Sequence, residues 1–197
     1  MCGIYGITEK NKKTILDIIK KCSHRGPDGQ DTYVSDELTL GHNLLAITSK
    51  PNEGKQPWLS ERKNILIYNG EIFNYNDLIL RFKDKFIPKT TCDTELLSWL
   101  LDNFSYEEVF ANLIDSMHAL AWYNKSKKEL VLSRDHAGIK PLYFAFVKSG
   151  LVFSSEIKGI LAQVNTSNII NREALACTSL LGFNVLRQTI FKGIFKI

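Results

Sequence analysis

Residues 1–7 read Met1-Cys2-Gly3-Ile4-Tyr5-Gly6-Ile7, and the rest of the chain is read outward from them. The run from Cys2 to Thr8 is short, apolar and β-prone, which predicts a buried strand. A cysteine directly behind an initiator methionine has a second reading. Its small side chain lets an aminopeptidase remove Met1, which would leave a thiol and a free α-amine on one residue. That amine, with a pKa of about 7.7–8.0, is a base near neutral pH. The thiolate is the nucleophile, and an ordinary cysteine has a pKa of about 8.5, so the thiol needs such a base. Taken alone, Cys2 favours the plainer reading of a buried strand residue. With Met1 retained, the amine does not exist on Cys2.

The 197 residues suggest one domain, or one domain with a short extension. The chain is 44% hydrophobic and 23% charged, ordinary for a globular protein with a sizeable core. The formal net charge is +4, but the lysines are spread along the chain and build no basic arm, which argues against nucleic-acid binding. Cys2, Cys22, Cys92 and Cys177 lie far apart, and no CxxC spacing points to zinc or a redox pair; no metal is expected. Reduced thiols are expected, and with them a cytoplasmic location. The sequence shows neither a signal-type apolar region nor a run long enough to span a membrane.

Along the chain, Ile15, Ile18, Ile19 and Cys22 recur at helical spacing. Residues 24–29, HRGPDG, form a turn by their Gly-Pro and Asp-Gly punctuation. DTYVS and LTLGHNLLAI read as strands, and 49–57 as a loop. NILIY (64–68) reads as a buried strand that runs into a sharp turn at Asn69-Gly70-Glu71, where glycine takes positive φ freely. A helix is expected from Asn74. TTCDTELLSWLL places Asp93 at a helix start, and SYEEVFANL reads as a further short helix. MHALAWY with ELVLS, and PLYFAFV with LVFSS, read as hairpins. Residues 157–163 and 171–181 read as helical, and TIFKGIFKI (189–197) as strand-like. Strands, then helices, then hairpins predict an α+β architecture with mainly antiparallel sheets.

Four pieces stand at the ends of predicted elements: Cys2, the RGPDG turn, Asn69-Gly70-Glu71, and Asp93. Singly, each has a bland reading as a strand residue, a turn, a hairpin or a helix cap. Together, MCGIYGI, HRGPDG, LGHNLLAI, KQP, YNGEIFNY, TTCDTE, SRDHAGIKPLYF and SSEIKGIL resemble the glutaminase domain of class II glutamine amidotransferases, which are N-terminal-nucleophile hydrolases. Within that class the chain is most similar to the amino-terminal domain of glutamine-hydrolysing asparagine synthetases. The matching stretches cover residues 1 to about 161. The resemblance implies an αββα sandwich, with a glutaminase domain over 2–162 and an extension over 163–197 leading towards a synthetase domain.

The resemblance also implies a mechanism. Cys2, freed of Met1, attacks the side-chain amide carbon of L-glutamine, and its α-amine shuttles the proton through a water. The Asn69 side-chain amide and the Gly70 N–H are the implied oxyanion donors. Asp93, with Glu71 nearby, would hold the substrate α-ammonium. The strand around Leu44 and Ile47 (backbone 44–48) would contact substrate, and Arg25 would order the N-terminal segment.

One position departs from the family pattern. An arginine that clamps the glutamine α-carboxylate usually stands in a GHxRLSI-type stretch; here Leu44 takes its place. Leucine cannot make the bidentate pair a guanidinium gives a carboxylate. Three explanations stay open: another cation such as Lys50 or Lys55 takes the role; a partner domain must order the site; or the domain is a pseudo-glutaminase serving as a regulatory or docking module.

No pyrophosphate-binding SGGxDS-type loop and no Walker-type run is present. No cofactor is therefore expected on these residues; the resemblance assigns ATP and magnesium to a synthetase domain, in cis or in trans. A second copy of the chain is a further candidate partner.

Overall fold

The computed structural model describes residues 1–47, 50–148, 150–164 and 169–197. Among the described residues ten strands build two sheets: β1 (Gly3–Ile7), β2 (Gly29–Val34), β3 (Thr39–Leu44), β4 (Trp58–Leu59), β5 (Ile65–Ile72), β6 (Ser116–Asn124), β7 (Glu129–Arg134), β8 (Tyr143–Val147), β9 (Gly150–Ser154) and β10 (Phe195–Lys196). One sheet has six strands in the order β10-β8-β9-β1-β3-β2, the other four in the order β4-β5-β6-β7. Every pairing described is antiparallel. The helices are α1 (Lys12–Lys21), α2 (Tyr75–Arg81), α3 (Asp93–Asn103), α4 (Tyr106–Glu108), α5 (Ile157–Ile160) and α6 (Arg172–Leu181).

Side-chain alternation along the central strands explains the layering. Ile65 and Ile67 of β5 face inward and pack with Ile4, Leu40, Ala119, Ala121 and Phe153 between the sheets. Leu66 and Tyr68 face outward against Leu96, Leu97, Leu100 and Leu101 of α3 and Leu78 of α2. On the far side, Tyr5 and Ile7 of β1 and Val152 of β9 pack against Ile15, Ile18 and Ile19 of α1 and Ile160 of α5. The result is the αββα sandwich. Helix α1 forms where its apolar residues recur at three- and four-residue spacing, and it is capped by Asn11, whose side chain accepts from the Thr14 N–H at 3.1 Å.

Two sequence expectations need correction. Asn69-Gly70-Glu71 is not a turn: β5 runs unbroken to Ile72, paired with β6 from Ile65↔Tyr123 to Ile72↔Ser116. Gly70 is not among the glycines with positive φ; it is glycine because a Cβ there would lie 2.4 Å from the Met117 carbonyl oxygen and 2.6 Å from the Tyr68 ring. No continuous strand forms over 189–197: Phe195 and Lys196 add β10 to the edge of β8, and Phe191 makes only an isolated bridge to Ile170. Residues 105–113 begin as helix α4 and continue as a π-helical turn over Val109–Leu113. Ser49, in the expected 49–57 loop, and Ser149, in the Lys-Ser-Gly segment expected between two strands, lie outside the described residues.

Candidate active site

Strand alternation brings the Cys2 thiol and the Asn69 side chain together. Cys2 precedes β1 and shares the parity of Ile4; Asn69 shares the parity of Ile65 and Ile67. Both side chains therefore face the space between the sheets, at the same end of it. They line a cavity of about 90 Å³ together with Leu44, Ile47, Gly70, Glu71 and Asp93. Arg25 stands behind the cavity, donating from Nε to the Cys2 carbonyl oxygen at 2.9 Å and lying 3.2 Å from Glu156 through Nη1. A cavity of about 880 Å³ beside β10 is larger, lined by residues such as Arg134, Asn171 and Arg187, but it holds none of these groups.

The thiol of Cys2 accepts from the Leu45 N–H at 3.3 Å and donates to the Leu45 carbonyl at 3.5 Å. Burial pushes its pKa up, against the opposing pull of the Leu45 backbone bond. It is a thiol that needs a base rather than a standing thiolate. The α-amine, here on Met1, is pulled the other way, chiefly by burial; the Cys2 thiol opposes this, and the charges of Arg25 and then Lys140 add smaller downward pulls. Met1 itself lines the cavity.

Asn69 is 2% exposed, and its Nδ2 has no hydrogen-bond partner. A buried amide donor left unmade is costly, so this one awaits an acceptor. The Gly70 N–H is available for a related reason. His118, opposite Gly70, turns both its backbone groups towards Asp135, so the two residues form a non-hydrogen-bonded pair. N–H groups two apart on a strand point the same way. Those of Tyr68 and Ile72 leave the sheet for Gln56 Oε1 (2.6 Å) and Asp93 Oδ2 (3.2 Å), and the Gly70 N–H points between them.

Asp93 opens α3, where a negative charge meets the positive end of the helix dipole. Burial nevertheless raises its carboxyl to about 6, opposed by hydrogen bonds from the Ile72 N–H, the Tyr68 hydroxyl and Thr94, and reinforced by the charge of Glu71. A partly buried carboxylate beside a second one suits a cation. The Tyr68 hydroxyl makes no bond of ordinary hydrogen-bond geometry, so its help to Asp93 is weak.

The HRGPDG turn proves to be a clamp. Asp28 accepts from the Ala46 N–H at 2.8 Å and donates its own N–H to the Leu44 carbonyl at 3.0 Å, while Arg25 holds Cys2. Gly26 is required there, since a Cβ would lie 2.5 Å from the Asn43 and Leu44 backbones. The turn thus fixes both Cys2 and the segment carrying Leu44.

Leu44 is buried and lines the cavity. Lys50 and Lys55, the cations considered for the missing arginine, are exposed and are not part of the cavity lining. Ile47 lines the cavity at 78% exposure, and Thr48, the end of the 44–48 segment, lies outside the described residues. Sequence reasoning missed Lys140, Met117, Cys92 and Gln56 as lining residues. Gln56 and Lys140 stood inside the quoted KQP and GIKPLYF motifs, but nothing local says that these side chains reach Cys2. Among the described residues no cluster of three metal-ligating side chains occurs, and no helix is long and apolar enough to cross a membrane.

This layering, with Cys2 at the head of a central strand, is the architecture of N-terminal-nucleophile amidotransferases. The Bacillus subtilis glutamine phosphoribosylpyrophosphate amidotransferase, solved with ADP and GMP, superposes with a TM-score of 0.65 at 19% identity, over 81% of this chain and 43% of that one. The chain belongs to the family described as the glutamine amidotransferase domain, which matches residues 1–197. Among curated relatives, Escherichia coli asparagine synthetase B (glutamine-hydrolyzing) is 32% identical over 84% of this chain and 31% of its own length. Bacillus subtilis asparagine synthetase (glutamine-hydrolyzing) 2 is 32% identical over 89% of this chain and 24% of its own. The chain therefore spans less than a third of these two relatives.

Proposed function

We propose that this domain hydrolyses L-glutamine to glutamate and ammonia through a thioester on Cys2, and that the ammonia serves an ATP-dependent synthetase domain in cis or in trans. In this reading residues 2–162 carry the hydrolysis, and 163–197 lead towards the synthetase. Loss of Met1 exposes the Cys2 α-amine. That amine takes the thiol proton, through a water, as Sγ bonds to the amide carbon and the carbonyl electron pair moves to oxygen. The Asn69 amide and the Gly70 N–H bind that oxyanion. The proton passes to the leaving nitrogen, the C–N bond breaks, and ammonia departs; water then cleaves the thioester. Asp93 and Glu71 hold the substrate α-ammonium. ATP and magnesium belong to the synthetase partner in this scheme.

The observation that carries the reading is the buried, unpartnered Asn69 Nδ2 lining one cavity with the Cys2 thiol and Asp93. Burying an unpaired donor is costly unless a ligand's acceptor arrives. One observation favours a second reading, a pseudo-glutaminase that docks or regulates: buried Leu44 offers no charge to a carboxylate. Intact-mass measurement with a glutamine-to-glutamate assay separates the two. Met1 loss with turnover that Cys2→Ala abolishes supports hydrolysis. A processed, folded protein without turnover, partner domain included, refutes it.

A further inference from the structure

The N–H groups of Tyr68, Gly70 and Ile72 share one edge of β5. Strand β4 pairs with that edge only at Trp58↔Leu66 and Leu59↔Ile65, so past Leu66 side chains take the donors instead. Ile72 donates to Asp93 Oδ2, and Tyr68 donates to Gln56 Oε1 at 2.6 Å. Gln56 is 5% exposed and reaches this point from the loop ahead of β4. Its oxygen faces an N–H, so its amide nitrogen faces away, and Nε2 donates to Thr94 Oγ1 at 3.1 Å. Thr94 is buried and directly follows Asp93. One side chain thus bridges the residue before Asn69 and the residue after Asp93.

The bridge does what packing alone does not. Leu66 and Tyr68 meet α3 through Leu96, Leu97 and Leu100, an apolar contact that sets the spacing of the layers. Such contacts are non-directional and do not fix how α3 sits along β5. Hydrogen bonds have fixed lengths and directions, and those of Gln56 and Asp93 flank Gly70 on either side. A longer β4 would take the Gly70 N–H as well; a single glutamine stops at Tyr68. The far end of the bridge is itself anchored. Glu95 accepts from the Thr90 N–H at 2.8 Å and the Thr90 hydroxyl at 2.7 Å, just ahead of α3. Glu53, on the loop that carries Gln56, accepts from the Thr91 N–H at 3.2 Å and the Thr91 hydroxyl at 3.0 Å.

We propose that Gln56 is a positioning residue for glutamine hydrolysis: its amide locks the Asn69-Gly70 donors to the Asp93 turn, and so sets the span between oxyanion and α-ammonium that one glutamine must fit. This rests on the glutaminase reading of the site. A misplacement of about 1 Å costs on the order of 100-fold in rate.

The test uses the full chain, assayed below each variant's unfolding midpoint. Gln56→Met keeps the bulk of the side chain and loses both bonds. It should lower kcat for glutamine about 10–100-fold and move KM less than about threefold, because Asp93 keeps its bond to Ile72. Thr94→Val cuts only the far end and should lower kcat in the same way, which carries the comparison if Gln56→Met does not fold. Thr94→Ser keeps the acceptor oxygen and should retain the rate. In an Asn69→Ala background the loss from Gln56→Met should shrink to about threefold or less, since a donor that the bridge places is gone. Hydrogen exchange should show the Tyr68 amide opening about tenfold faster in Gln56→Met. Unchanged kcat in folded Gln56→Met, wild-type kcat in Thr94→Val, or equal losses with and without Asn69 would each overturn the proposal. A wild-type protein without Cys2-dependent turnover would refute the glutaminase reading instead. Faster Tyr68 exchange in Gln56→Met would then still uphold the bridge, and unchanged exchange would overturn it.

Discussion

Asp93→Asn should make the protein more stable while weakening its grip on glutamine. An aspartate carboxyl sits near 3.8 in an unfolded chain, and burial raises that of Asp93 to about 6 in the folded one. The folded state thus binds the Asp93 proton more tightly than the unfolded state does. Stability therefore falls as pH rises from about 4 to about 6, and the full cost remains above that. At 1.36 kcal/mol per pH unit the cost at neutral pH is about 3 kcal/mol. Asparagine is nearly isosteric, carries no charge, and its amide oxygen still accepts from the Ile72 N–H that Asp93 now engages at 3.2 Å. Losing the favourable charge at the start of α3 takes back about 0.3–1 kcal/mol. Urea unfolding should then show Asp93→Asn more stable by about 1–3 kcal/mol at pH 7, with the gain gone near pH 4. In a chain of this size that is a rise of about 2–10 °C in Tm. The KM for glutamine should rise at least tenfold in the same variant, because a charge-assisted bond to the substrate ammonium is lost. An equal loss of stability at pH 7 and pH 4 would refute the claim that Asp93 is a strained carboxylate kept for a cation.

Asn69→Ala removes one oxyanion donor and should lower kcat by about 100–1,000-fold with a small change in KM, measured by glutamate release; equal falls in kcat and in thermal stability would point to a packing role instead. Leu44→Arg should lower the KM for glutamine about tenfold by restoring a charged partner for the α-carboxylate. An unchanged or higher KM would mean that a group elsewhere already binds it.

The sequence disclosed the layers because both periods were clean. The 3.6-residue spacing of Ile15, Ile18 and Ile19 and the apolar runs of β1 and β5 survive in the structure as the outer helix and the inner strands. Asn69-Gly70 was misread as a turn for a physical reason. The local signal of an Asn-Gly pair is that of a hairpin, whereas the pairing with β6 that keeps it extended is non-local. Cys2, Asn69, Gly70 and Asp93 were legible as a set through motif resemblance, and shared strand parity shows why the side chains of Cys2 and Asn69 meet. Lys140 was illegible as a lining residue because its place at the cavity depends on the packing of a loop between β7 and β8. Arg25 and Asp28 read locally as a turn, and only the resemblance gave Arg25 a part in ordering the N-terminal segment; together they tie Cys2 and the Leu44 segment to one anchor. The expectation of a strand over 189–197 failed because apolar content alone does not supply a pairing edge; only two residues find one on β8.

The account turns on Cys2 as an N-terminal nucleophile. Rapid acid quenching of the protein mixed with glutamine, followed by intact-mass and peptide mass spectrometry, tests this most directly. The account predicts a chain beginning at Cys2 that carries a γ-glutamyl thioester on its sulfur, accumulating further in a variant slow in the hydrolytic step and absent in Cys2→Ala. A chain that retains Met1, or one that releases glutamate with no adduct on Cys2 and undiminished rate in Cys2→Ala, would contradict it.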